Sequence, residues 1–182
     1  RIQAYSDDMK KKTGEAAYEH LIYRIKSENS MREKCDRKGL PQTAYSALHD
    51  IRDAIGIRIV CCFLDDIYRA IDFLKSLDGV RIVEEKDYIR HVKPNGYRSY
   101  HVILELEEPY EDVTGANPGH FYAEVQLRTI AMDSWASLEH QMKYKHDIKN
   151  PERISKELKR VADELASCDV NMQTIRQLIK EG

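Results

Sequence analysis

The chain has no run of about 18 apolar residues, which excludes a membrane-spanning helix of the usual kind. It also lacks net charge: 29 basic against 31 acidic side chains leave −2. Proteins that bind nucleic acid through a general electrostatic field carry a strongly basic surface. Nucleic acid is therefore not a required partner, and any anion site must be local; regulation by RNA stays open. Cysteine is scarce, and none of Cys35, Cys61, Cys62 and Cys168 forms a CxxC pair. No His or Cys cluster has the spacing of a zinc site. Cys61-Cys62 falls inside an apolar run, so the pattern reads as buried free thiols in a reducing cytoplasm. The opening residues do not read as a signal peptide. There is no internal repeat, low-complexity tract or interdomain linker. A length of 182 residues suits one domain, 1–182, with a sizeable core.

What is present is a sequence of short periodic segments. Residues 3 to about 27 lack proline and space Tyr18, Leu21, Ile22 and Ile25 as a helical stripe, which predicts a helix. Ser30 to Lys38 predicts a second helix, and Gly39 to Ala47, with Gly-Leu-Pro, a loop. Ile57 to Phe63 is an apolar strand. Asp65-Asp66 opens a helix with Asp as cap, striped by Ile67, Ala70, Ile71, Leu74 and Leu77, and Asp78-Gly79 ends it. Val80–Asp87, Tyr100–Leu106 and Phe121–Arg128 predict strands, with a long polar connection at 107–120. A helix carrying the single Trp135 follows. Asn150-Pro151 starts the last helix, Asn as cap and Pro at the first position. The order predicts an α/β or α+β fold: a mixed sheet of four to five strands flanked by helices.

In the last helix, Ile154, Leu158, Val161, Leu165, Cys168, Met172, Ile175 and Ile179 alternate in steps of four and three. Such a heptad seam packs on the chain's own sheet, on the N-terminal helix or on a partner chain, and the last two are preferred.

Two stretches carry polar groups in patterns that chemistry uses. Lys93-Pro94-Asn95-Gly96-Tyr97-Arg98 is turn chemistry followed by a strand, so it presents a cation, a ring and a guanidinium at the mouth of a sheet. A base stacks on such a ring, and phosphate meets the cations. The strand at 121–128 places Tyr122, Glu124, Gln126 and Arg128 on one face. Upstream, Ser30, Lys34 and Arg37 or Lys38 share a helix face, which is either a solvated basic surface or a phosphate cradle. Asp53 and Arg58 bracket Gly56 at the entry to an apolar strand, where Asp53 could equally be a turn cap.

The runs RIKSENSMREK, DAIGIRI, KPNGYRSYH and EVQLRTIAMDSWASLEH, in this order, resemble the synthetase domain of RelA/SpoT-type proteins, and above all the small stand-alone alarmone synthetases. The resemblance covers about residues 20–146. Two details depart from the family pattern: Tyr23 stands where a Gly commonly precedes the Arg, and Ala54-Ile55 reverses the commoner order.

The resemblance implies a nucleotidyltransferase-like sheet and a reaction of the stringent response. ATP gives its pyrophosphoryl group to the 3′-hydroxyl of GDP or GTP, yielding AMP and the alarmone (p)ppGpp. It implies Mg²⁺ held by Asp53 and Glu124, with Glu124 also the catalytic base. Arg24 and Arg58 would stack on adenine, and Lys26, Ser30, Lys34 and Arg37 would hold the ATP phosphates. Tyr97 would stack on guanine, while Lys93, Arg98, His101 and Gln126 position the acceptor. It further implies synthesis without hydrolysis, and a homo-oligomer, commonly a tetramer. The alternatives from the residues themselves are another nucleotidyltransferase-fold enzyme or a noncatalytic nucleotide or RNA sensor.

Overall fold

The computed structural model describes residues 1–143 and 150–181; the last residues of the stretch that carries the family resemblance, 144–146, lie outside them. Five strands form one mixed sheet: β1 (His20–Ile25), β2 (Ile55–Cys61), β3 (Val80–Asp87), β4 (Tyr100–Glu108) and β5 (Gly119–Thr129). Their order is β1-β2-β5-β4-β3. β2 and β5 run parallel, and the other pairs are antiparallel. Five helices surround the sheet: α1 (Ile2–Thr13), α2 (Glu28–Lys38), α3 (Leu64–Lys75), α4 (Ile130–Lys143) and α5 (Pro151–Glu181). A single π-helical turn, Ser46–Asp50, precedes β2.

Strand alternation gives the sheet two unlike faces. Ile59, Cys61, Val102, Leu104, Val125 and Leu127 pack against Ile67, Ile71 and Leu74 of α3, and all nine are almost fully buried. Each such aliphatic side chain contributes about 1.5–3 kcal/mol by leaving water. α1 lies at the margin of this core, where Tyr5 stacks on Phe73 with ring centroids 4.0 Å apart. The other face is polar. Register puts Arg24, Gly56, Glu124, Ile103 and Glu84 in one row across all five strands. The next row holds Ile22, Arg58, Gln126, His101 and Lys86.

The helix predicted from 3 to about 27 is instead a helix and an edge strand. Gly14, in the left-handed region at φ 78°, closes α1 by donating its N–H to Lys10 O. Leu21, Ile22 and Ile25 fit either period, and antiparallel pairing with β2, from His20↔Val60 to Ile25↔Ile55, decides for strand. α3 starts one residue before Asp65, behind Phe63. Asp65 and Asp66 therefore sit in its first turn, where the helix dipole favours them, and are not its cap. The helix stops at Ser76, and Gly79 (φ 72°) turns the chain into β3.

The heptad seam of α5 divides between two surfaces. Leu158 and Leu165 turn toward the chain, on the side where Ala162, Asp169 and Arg176 are buried. Trp135 Nε1–H donates to Leu158 O at 2.8 Å, and Thr129 Oγ1–H donates to the Asp169 carboxylate at 2.6 Å. Near the C-terminus, Arg176 pairs with Asp66 at 2.8 Å, contacts Glu15 and lies 4.3 Å over the Phe63 ring. Val161, Met172, Ile175 and Ile179 point outward, with Met172 57% and Ile179 74% exposed. Among the described residues, no helix is long and apolar enough to cross a membrane.

Arg176 is the buried cation that fastens α5 to α3. Replacing it with Ala leaves Asp66 with only the partly exposed Arg69 as partner, 3.0 Å away. Arg176→Ala should lower stability by about 3 kcal/mol, read from urea unfolding monitored by far-UV circular dichroism.

Candidate functional site

Two clefts open on the polar face. The first is lined by Arg24 and Lys26 from β1 and its exit, Gly56 and Arg58 from β2, and Glu124 and Gln126 from β5. Gly56 lies between Arg24 and Glu124 in the same cross-strand row, so the floor of the cleft has no side chain there. The second cleft is lined by Glu84, Lys86 and Tyr88, by Lys93, and by His101 of β4 and again Glu124. Glu124 thus forms part of both walls.

Beside the first cleft lies a charged cluster. Lys26 and Lys34 both pair with Asp53 Oδ2. A small core of Met31, Cys35, Ile51 and Ala54 holds α2 over the entry to β2, and Lys34 and Asp53 are direct neighbours of two of its members. The backbone N–H of Lys26 donates to Ala54 O at 2.8 Å, which fixes the exit of β1 to the same spot. Burial opposes the charged form of Asp53, but the two ammonium groups outweigh it and hold its pKa below the ordinary carboxylate range. Asp53 Oδ1 is buried with no hydrogen-bond partner among the described residues.

Glu124 is tied down from the opposite side. His101 Nδ1 lies 3.3 Å from its carboxylate, and Gln126 Nε2–H donates to it at 3.1 Å. The hydrogen bond from His101 lowers the Glu124 pKa, against burial and the nearby negative charge of Asp53. The contact continues inward: the Tyr97 hydroxyl is 2.8 Å from His101 Nε2, and Arg128 donates to the Tyr97 oxygen at 2.8 Å. A neutral imidazole with its proton on Nδ1 satisfies every link in one direction, from Arg128 through Tyr97 and His101 to Glu124. Arg128 also donates to Asp133 at 2.9 Å, and Asp133 pairs with Arg58 at 3.2 Å. This chain of contacts joins the two clefts beneath the surface.

The expected site residues fall into three groups. Arg24, Lys26, Arg58, Glu124 and Gln126 meet in the first cleft, with Lys34 and Asp53 adjoining it; Gln126, expected on the acceptor side, is on this one. Lys93 and His101 meet in the second. Tyr97 stands one ring behind that cleft's lining, with Lys93 Nζ 4.8 Å from its centroid and Tyr88 at 6.1 Å. Ser30 and Arg37 are exposed on α2, Ser30 in its first turn against the cap Ser27 and Arg37 in its last. Arg98 points away from both clefts: it donates to Asp163 at 2.9 Å and to Ala162 O at 3.2 Å, both on α5. Tyr88 and Asp133 are not among the residues expected from the sequence, and Arg128 has no expected role. Their signal was weak: an aromatic just past a strand end, an acid in a helix's first turn, and an Arg on the polar face of β5.

The donor set is compatible with Mg²⁺. That ion takes one or two carboxylates and fills its other positions with phosphate oxygens and water. Asp53 offers an unsatisfied buried oxygen and Glu124 a second carboxylate within electrostatic reach. Among the described residues there is no group of three or more His, Cys, Asp and Glu that would make a closed metal site.

Residues 23–149 match the family model of the region found in RelA / SpoT proteins. The GTP pyrophosphokinase YwaC of Bacillus subtilis is 41% identical over 165 residues, 90% of this chain and 76% of that protein. The crystal structure of small alarmone synthetase 1 from Bacillus subtilis bound to its product pppGpp aligns with a TM-score of 0.83 at 30% identity, over 98% of this chain and 88% of that one. The same synthetase bound to AMPCPP aligns with a TM-score of 0.77 at 28% identity, over 100% and 89%.

The charge on Asp53 stabilises the fold through Lys26 and Lys34. Because its folded pKa is depressed, that stability is present above the unfolded value and is lost as pH falls through the folded one. The stability difference between the wild type and Asp53→Asn should therefore be largest near neutrality and shrink below about pH 4, in urea melts at stepped pH.

Proposed function

The chain belongs to the RelA/SpoT family, and on that premise we propose that its first cleft holds ATP, its second the guanosine nucleotide, and Glu124 works between them. The chain is a GTP pyrophosphokinase that makes the alarmone (p)ppGpp. The observation that carries the division of labour is that Glu124 lines both clefts.

In the first cleft, Arg24 beside the gap that Gly56 leaves and Arg58 in the next row offer planar guanidinium faces to adenine. Lys26 and Lys34, gathered at Asp53, are the cations nearest to where the triphosphate must lie; Ser30 and Arg37 extend the basic surface along α2. In the second cleft, Lys93 lies over the rings of both Tyr88 and Tyr97, at 4.3 and 4.8 Å, a platform of the kind a purine and its phosphates occupy. The guanine stacks at this pair of rings, Tyr88 in the lining and Tyr97 behind it, and His101 faces the acceptor beside Glu124.

The transfer needs in-line placement and charge neutralisation more than covalent help. The acceptor's 3′-oxygen bonds to the β-phosphorus of ATP, the bond from that phosphorus to the α–β bridging oxygen breaks, and AMP leaves with that oxygen. Glu124 takes the 3′-hydroxyl proton. Its lowered pKa keeps it ionised at neutral pH; His101 meets one carboxylate oxygen and Gln126 the other, so the carboxylate is held in place and takes the proton on a remaining lone pair. Mg²⁺ held by Asp53 and Glu124 would neutralise the phosphate charge. The cytoplasm, where both nucleotides are abundant and thiols stay reduced, suits the substrates and the free cysteines, of which Cys35 and Cys61 are buried as expected while Cys62 and Cys168 are exposed.

Assembly is part of the proposal. Val161, Cys168, Met172, Ile175 and Ile179 form a stripe on the solvent side of α5, and such a stripe is normally covered. A second copy of α5 fits it, giving a homo-oligomer, a tetramer by the resemblance. Ile175→Glu should shift wild-type oligomers toward monomer in light scattering at micromolar concentration, and a wild type that is already monomeric there contradicts the proposal.

Glu124→Gln keeps the side chain's shape and removes its basicity. Turnover should fall by about 10²–10⁴-fold, while calorimetry shows an ATP analogue and GDP still bound. A variant that keeps wild-type turnover would remove Glu124 from the mechanism.

A further inference from the structure

The turn that carries the acceptor-side residues is held from behind by α5, through the residue expected to touch the nucleotide. Arg98 is half-buried, with its guanidinium directed away from the second cleft. It donates to the Asp163 carboxylate at 2.9 Å and to Ala162 O at 3.2 Å, and it returns to the turn itself through Gly96 O at 3.1 Å. Three acceptors at these distances use much of a guanidinium's fixed fork of donors, which is why a Lys would not substitute. The turn also meets the same helix turn by shape. Gly96 has φ 90°, and a Cβ there would lie 2.6 Å from Ala162 Cβ and 3.3 Å from Lys159 Cα. The peptide between Lys93 and Tyr97 is closed by two backbone bonds, Gly96 N–H to Lys93 O at 2.8 Å and Lys93 N–H to Tyr97 O at 3.3 Å. A contact that fixes Gly96 therefore fixes Lys93 and Tyr97.

We propose that Arg98 is a positioning residue and that α5, through Asp163 and Ala162, sets the geometry of the acceptor site without touching the acceptor. This deepens the reading of the 93–101 turn as the guanosine-nucleotide site and rests on it. Neither Arg98 nor its α5 partners Ala162 and Asp163 line the first cleft, so the direct effect of the clamp is on the acceptor turn.

The test is steady-state kinetics of the full chain with Mg²⁺, varying GDP at saturating ATP and then ATP at saturating GDP, for Arg98→Ala, Asp163→Ala and the double variant. The single variants should each raise the KM for GDP about fivefold, leave the KM for ATP unchanged, and combine to no more than the larger single effect. Asp163 is about half exposed on α5, so Asp163→Ala folds and carries the test even if Arg98→Ala does not. An unchanged KM for GDP in Asp163→Ala, or effects that multiply in the double variant, would overturn the clamp and put Arg98 on the nucleotide directly. Tyr97→Ala separates the premise from the clamp. If it leaves the KM for GDP at the wild-type value while the Asp163 effect is present, the turn is not the acceptor site and the proposal falls with that reading.

Discussion

The central strand β5 places Glu124, Gln126 and Arg128 on one face, at depths where an unpaired charge would not be tolerated, and the rest of the site follows from how they are neutralised. Arg128 is only 5% exposed. Its guanidinium needs several acceptors, and it finds them in Asp133, the Tyr97 hydroxyl and Gln126. Those partners fix the first turn of α4, the acceptor turn and the strand itself against one another. Glu124 receives its hydrogen bonds from His101 and Gln126, so it too is oriented before any substrate arrives. Preorganised dipoles of this kind do not need to be rearranged during the reaction, which is where an enzyme gains most from electrostatics.

The parallel pairing of β2 with β5 decides which side chains share the polar face. It sets Gly56 beside Glu124 and Arg58 beside Gln126, while the antiparallel pairing with β4 sets His101 on the other side. A one-residue slip in either register would turn Glu124 toward the α3 core. The apolar face guards against this: Val125 and Leu127 are fully buried between strands and helix and lose their contacts in any other register. The same residues that stabilise the fold therefore aim the carboxylate.

Most of the sheet was legible because strands β2, β4 and β5 have strong alternation or apolar runs bounded by turn residues. β1 was not. Leu21, Ile22 and Ile25 satisfy a helical stripe as well as a strand, and only the partner strand 30 to 40 residues later distinguishes the two. On the site, motif spacing identified the residues that meet in the two clefts but not their orientation. Gln126 and Arg98 show the limit. Gln126 is the direct cross-strand partner of His101 on β4, yet it lines the first cleft and His101 the second. Arg98 stands next to Tyr97 in sequence, yet its partners are on α5, 64 and 65 residues away. The α5 seam was visible as a period, but a period does not tell an intrachain face from an exposed one when Leu158 and Leu165 serve the first and Met172 and Ile175 the second.

The two carboxylates are held in different ways, and the difference suits different duties. Glu124 is fastened by a strand neighbour and by an imidazole that is itself fixed through Tyr97 to a buried Arg. Moving it would disturb a connected set of short-range contacts. Asp53 is held by the tips of two long lysine side chains, whose ammonium groups can turn away with little cost to the backbone. Its second oxygen has no hydrogen-bond partner among the described residues. On the proposed reading, an entering polyphosphate gives the lysines phosphate oxygens in exchange for the carboxylate, which frees Asp53 for a hard cation. A fixed Glu124 beside an exchangeable cluster at Asp53 is what the proposed reaction asks of a base and of a cation site.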